Sequence, residues 1–188
     1  SLEVIEKYKI DTIENVEGDV NFGKSPEENV ASIINIIIGD IVSCAVKIDR
    51  IDRTFPSKIS NKIDHNNLRQ KRIIIQEYKS YSSQIEKAYI IADEQVINGK
   101  EIAMSMLNNM YFKALDKFDI DIFDIDMTKI KKHADEIVDD IIKQLRKFIY
   151  KSANINSLYK EQVEIGINVV VAHAFVECLI LENPNASN

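Results

Sequence analysis

The sequence predicts a mainly α fold: a bundle of about five long helices preceded by a short N-terminal β element. Three observations carry that expectation. Apolar residues recur three and four apart over long windows, which is the period of a helix with one buried face. Glycine and proline are scarce, 5 and 3 in 188 residues, so the chain lacks the turn residues that a barrel or sandwich of short strands needs. The breaks between apolar windows also carry helix start and stop signals. With 45% hydrophobic and 29% charged residues, the chain can bury a substantial core as one domain.

The elements follow in chain order. Tyr8, Ile10 and Thr12 alternate with Lys9 and Asp11, and Val20 and Phe22 alternate with Asp19 and Asn21. Period-two alternation of this kind reads as half-exposed strand, so residues 1–24 are expected to be a β adaptor and 25–188 a helical domain. Ser25-Pro26-Glu27-Glu28 combines a cap, a first-turn proline and a capping-box acid. The helix it opens is expected to reach about Arg53, with Ile33, Ile34, Ile37, Ile38 and Ile41 on its core stripe, before Phe55-Pro56 breaks it. Residues 57–66 are polar, with Ile59 and Ile63 four apart, and predict a short helical turn or ordered loop. One long helix is then expected from Leu68, capped by Asn66-Asn67, to about Gln95, with Ile74, Tyr78, Tyr81, Ile85, Ala88, Tyr89 and Ala92 buried. Asn98-Gly99 ends it, and a third helix carries Ile102 to Phe118 antiparallel to it. The acidic loop 119–126 should lay Ile120, Ile122, Phe123 and Ile125 on the body and leave its charges in water. A fourth helix starts near Thr128. A last one, from about 157 to 182, is nearly all apolar between Val169 and Leu181 and should be central.

Composition restricts function as well. The formal charge is −6, but it is uneven: residues 47–87 hold 10 basic and 5 acidic groups. Asp49, Asp52, Asp64, Glu77 and Glu86 interrupt that basic segment, so a solvated or internally paired face is favoured over a nucleic-acid interface. Cys44 and Cys178 sit in apolar helical runs with no CxxC pair or Cys/His cluster. They are expected to be two buried thiols in a reducing cytoplasm, and no zinc site is expected. No window is long and apolar enough to span a bilayer, so no membrane partner is expected.

Candidate chemistry is sparse. The aspartates of 119–126 fail the calcium-loop pattern, because Phe123 and Asp124 stand where a ligand and a glycine are needed. His133, Glu136 and Asp140 share one helix face and could hold a divalent ion for hydrolysis, although an ion-pair network with Lys129, Lys132 and Lys143 explains them as well. His173 and Glu177 form an i,i+4 pair on the most apolar helix, but no Glu follows His173 to make a zincin motif. Tyr78, Tyr81 and Tyr89 could stack bases, yet their helical spacing and apolar companions read as core. No glycine-rich phosphate loop or nucleophile elbow is present in the sequence. The chain is therefore expected to be non-catalytic and without cofactors.

Two stretches carry a family resemblance. One is Ile59-Ser60-Asn61-Lys62-Ile63-Asp64-His65-Asn66-Asn67-Leu68, continuing through Ile74-Ile75-Gln76-Glu77-Tyr78 and Tyr81-Ser82-Ser83. The other is Glu164-Ile165-Gly166-Ile167-Asn168-Val169-Val170-Val171-Ala172-His173-Ala174-Phe175, closing with Cys178-Leu179-Ile180-Leu181-Glu182-Asn183-Pro184. Together, across roughly residues 26–184, the chain resembles the C-terminal helical domains of bacterial ABC-three-component systems. The resemblance implies a role in bacterial conflict, including defence against phage, where an ATPase, a middle component and an effector act together and such domains link or assemble them. It supplies no catalytic residues. The expected partner is thus a protein, with self-association into a homo-oligomer, and the exposed edge of the β element (Tyr8, Ile10, Val20 and Phe22) is the expected contact surface.

Overall fold

Residues 26–43, 54–151 and 160–184 are described by the computed structural model, and every regular element among them is an α-helix. In chain order these are α1 (Pro26–Ser43), α2 (Ser57–Asn66), α3 (Arg72–Lys79), α4 (Ser82–Gln95), α5 (Gly99–Lys117), α6 (Met127–Lys151) and α7 (Lys160–Val176). The expected β element 1–24, with Tyr8, Ile10, Val20 and Phe22, lies outside the described residues. So do Cys44 and the expected extension of α1 to Arg53.

Among the described residues there are seven helices where about five were expected, for local reasons. The polar stretch 57–66 is a full helix, ended by Asn67 in the left-handed conformation (φ 56°, ψ 38°). Leu68 N donates to Ile63 O and Asn67 N to Asp64 O, so Asn67 closes α2 rather than capping the next helix. α3 begins four residues beyond the expected Leu68, after a turn carrying Arg69, Gln70 and Lys71. The single helix expected to reach Gln95 is also broken. Ser80 N and Tyr81 N bond back three residues, to Glu77 O and Tyr78 O, and the regular i−4 ladder stops. Ser80, Ser82 and Ser83 supply little helix propensity there. The buried stripe survives the break: Ile74, Tyr78, Ile85, Ala88, Tyr89 and Ala92 are buried, and Tyr81 packs half-buried beside them.

The apolar pattern decides which helices are central. α7 buries Val163, Gly166, Ile167 and every residue from Val169 to Phe175, and touches α1, α3, α4, α5 and α6. α1 buries Ile33, Ile34, Ile37, Ile38 and Ile41 and packs on α4, α5, α6 and α7. A helix apolar on all sides belongs in the middle of a bundle, so this pair forms the axis and the others wrap it. α6 is amphipathic. It buries Ile130, Ala134, Ile137, Val138, Ile141, Leu145 and Ile149, and a bidentate Arg146–Glu164 pair (2.7 and 2.8 Å) ties it to α7.

Other expectations need correction. α7 ends at Val176, not near 182, and the chain turns in a hook through Cys178 (φ 62°) and Leu181 (φ 58°). Cys178 is exposed rather than buried, because the turn carries it off the helix. In the acidic loop Ile120 is buried and Ile125 packs on the core, but Ile122 and Phe123 point to solvent. No helix of the described residues is long and apolar enough to cross a membrane.

The axis sets a steric requirement. A Cβ on Gly166 would lie 2.8 Å from Ile38 Cγ2 and 3.2 Å from Ile38 Cγ1. Ile38 is β-branched and fully packed, so it cannot swing aside cheaply. Gly39 has nothing within 4 Å of its Cβ position. Gly166→Ala should therefore destabilise the fold by about 1–3 kcal/mol. Gly39→Ala should stabilise it by about 0.5–1 kcal/mol. Urea denaturation of the two variants checks both signs.

Candidate functional site

Three polar side chains are buried among the described residues: Lys62, Asn66 and His173. Each must find partners or remain an uncompensated cost. Lys62 and Asn66 are four apart on α2, on the face that also carries Ile59 and Ile63, so the helix turns both inward with its apolar residues.

What they meet is the hook after α7. Lys62 Nζ donates to Phe175 O (2.6 Å) and Ile180 O (3.0 Å) and lies 4.4 Å from the Phe175 ring centroid. Asn66 Nδ2 donates to Glu182 O (2.7 Å) and to Lys62 O (2.8 Å), while Asn66 Oδ1 accepts from Glu182 N (2.9 Å). The Asn66 amide thus binds both backbone groups of Glu182, as a neighbouring strand would. Tyr111 OH on α5 donates to Glu182 Oε2 (2.6 Å) and locks that side chain as well. Burial pushes the Lys62 ammonium down to about 8, although the negative charge of Glu182 nearby works the other way.

His173 occupies a different setting. It is 1% exposed, with Tyr78 and Tyr89 rings 5.8 and 5.1 Å away and Glu177 Oε1 3.4 Å from Nε2. Its Nδ1 and the Tyr89 hydroxyl are both buried without a hydrogen-bond partner. Burial lowers His173 to about 4, with Lys100 adding to the shift and Glu177 opposing it, so the ring is neutral near pH 7. The tyrosines flagged as candidate base-stackers are here packing partners: Tyr78 and Tyr89 are buried against His173.

The His133 face does not converge. His133 Nδ1 lies 3.0 Å from Glu136 Oε1 and the ring stacks on Phe118. Asp140 points elsewhere: Oδ1 accepts from Lys117 (2.7 Å) and Oδ2 from Gln144 (2.7 Å). Lys143 bonds Asp139, which also takes Lys71, and Lys129 bonds Asp119. The face is an ion-pair network, with partners partly different from those its spacing implied. Among the described residues, no three His, Cys, Asp or Glu side chains are grouped so as to hold a metal ion.

The Lys62–Asn66–Glu182 clasp was missed in the sequence, although a signal existed. A lysine and an asparagine sharing the face of Ile59 and Ile63 are misplaced unless something inside the fold receives them. The receivers are backbone carbonyls more than a hundred residues away, which no side-chain pattern records.

A family model for C-terminal domain 10 of the ABC-three component (ABC-3C) systems matches residues 28–182. No curated protein and no solved structure matches the chain.

Two titrations follow from the buried groups. The folded-state value of Lys62 lies below its ordinary 10.5, so between about pH 8 and 10.5 the unfolded chain holds a proton that the folded chain has released. Stability of the wild type should therefore rise across that window relative to Lys62→Met. At neutral pH Lys62→Met should cost about 2 kcal/mol, because the Ile180 carbonyl loses its donor while the Phe175 carbonyl keeps Cys178 N. His173 runs in the acid range. Its folded value of about 4 lies below the ordinary 6.5, so its contribution is intact above pH 6.5 and lost as pH falls through 4. His173→Leu should flatten that acid limb, by about 3 kcal/mol at most. Chemical denaturation at a series of pH values measures both.

Proposed function

The chain belongs to the C-terminal domain 10 family of the ABC-three component systems, which are conflict and anti-phage systems, and from that premise we propose that it is a non-catalytic assembly module. It acts in the cytoplasm, through protein partners and through self-association. The observation that supports this most is how the buried polar groups are used. Lys62, Asn66 and Glu182 are consumed in joining α2 to the end of α7, and His173 is walled in by tyrosines. Among the described residues several large apolar side chains also reach solvent, Phe123 foremost at 93% exposed. Exposed apolar side chains of this size favour protein contact over chemistry. In the same reading the N-terminal segment offers a second contact through Tyr8, Ile10, Val20 and Phe22.

The rival reading is a metal-dependent hydrolase built on His133, Glu136 and Asp140. The outward commitment of Asp140 to Lys117 and Gln144 counts against it.

Multi-angle light scattering of the purified chain should show a dimer or larger species, weakened by Phe22→Asp. A monomer in the wild type at all concentrations would remove the self-association. A manganese or zinc anomalous signal at His133 in crystals soaked with either metal would revive the hydrolase.

A further inference from the structure

Three of the seven large exposed apolar side chains among the described residues gather in one place. Phe123 and Ile122 on the loop before α6, and Phe112 on α5, border one open groove of about 730 Å³. The loop that presents them is fixed. Asp121 Oδ1 accepts from Phe123 N (2.9 Å), Asp126 Oδ1 accepts from Thr128 N (2.9 Å), and Ile120 is buried beneath. Phe123 is therefore held out in water by its own backbone, at a solvation cost of about 2 kcal/mol for a side chain of its size. The groove rim is acidic on balance: five aspartates, Asp116, Asp121 and Asp124 exposed among them, line it against Lys113 and Lys129, and Lys129 is paired with Asp119.

The same chain carries the complement. In the first turn of α3, Ile73 is 60% exposed and lies beside the exposed Arg72 and, from the preceding turn, the exposed Arg69. This turn is fixed too, since Arg69 N and Lys71 N both donate to Asp135 Oδ1 (3.2 and 2.8 Å). Its anchor, Asp135, and Lys129 of the groove lie within two turns of each other on α6. One apolar knob with a basic collar and one apolar groove with an acidic rim are thus mounted near the same end of one helix.

We propose that a second copy of this chain docks here, with Ile73, Arg69 and Arg72 of each protomer seated in the Phe123 groove of the other. A two-fold pairing satisfies both patches at once and closes on itself. The occupant is argued from charge and shape: an acidic apolar groove selects a basic apolar ligand, and this chain displays one. The inference rests on the assembly reading above and gives it a surface.

The test is sedimentation velocity on the full chain over a range of concentrations and at low and high salt. Wild type should dimerise, more weakly at high salt. Phe123→Asp, at an exposed site that leaves the core intact, should raise the dissociation constant about tenfold or more. Asp116→Arg with Asp124→Arg should weaken the dimer, as should Arg69→Asp with Arg72→Asp, and combining all four should restore it. Circular dichroism confirms that each variant is folded. A wild-type oligomer indifferent to Phe123→Asp and to both charge reversals overturns this surface but leaves self-association standing. A wild-type monomer overturns both. Failure of the fourfold variant to recover overturns the pairing of these two patches.

Discussion

The structure depends on what α2 does for the end of α7. After Val176 the backbone makes two left-handed residues within four positions, Cys178 and Leu181, neither of them glycine. Each such residue is disfavoured by about 1 kcal/mol. The hook persists because Lys62 and Asn66 meet four of its backbone groups: the carbonyls of Phe175, Ile180 and Glu182 and the amide of Glu182. Buried carbonyls with no donor would be costlier than the strained turn. The hook also returns Ile180 and Leu181 to the core, so polar satisfaction and apolar burial reinforce each other at one point.

That point is where the two stretches carrying the family resemblance come together. Ile59 to Leu68 is most of α2 and its left-handed stop, and the stretch runs on through α3 to the start of α4 at Ser83. Glu164 to Pro184 is most of α7 and its hook. Far apart in sequence, they are one joint in space. Their polar residues are the fasteners, which is why a pattern without recognisable chemistry can still be distinctive. A protein that used Lys62 or Glu182 for catalysis would need them free to exchange protons with a substrate. Here both are engaged by backbone and by Tyr111.

The sequence was readable where burial follows a period. The stripes on α1, α6 and α7 and the central place of α7 are plain in the spacing of isoleucine and valine, because a helix must bury the face that repeats every 3.6 residues. It was unreadable where backbone geometry decides. The break at Ser80–Tyr81 leaves the stripe in phase, so periodicity could not register it. Asn67 fits equally as a cap for the helix after it and as a stop for the helix before it, and only its positive φ separates the two. Cys178 looked buried because apolar neighbours surround it in sequence, yet the turn lifts it into solvent. Phe123 looked like part of an apolar clip, but the Asp121 side chain binds its amide and faces the ring outward.

Phe123 then poses a question of a different kind from Lys62. Strain at the hook is offset inside the molecule, by partners that can be named. Nothing among the described residues covers the exposed ring of Phe123, and the loop that presents it is too well bonded for it simply to fold back. The basic turn of Arg69 to Ile73 presents the same imbalance with opposite charge, equally fixed through Asp135. Both features are held by hydrogen bonds of their own, to Asp121 and to Asp135. Across two copies the same bonds become an asset, because preformed surfaces lose less freedom on docking than mobile ones. Rigidity in these two places fits the proposed docking of one copy on another.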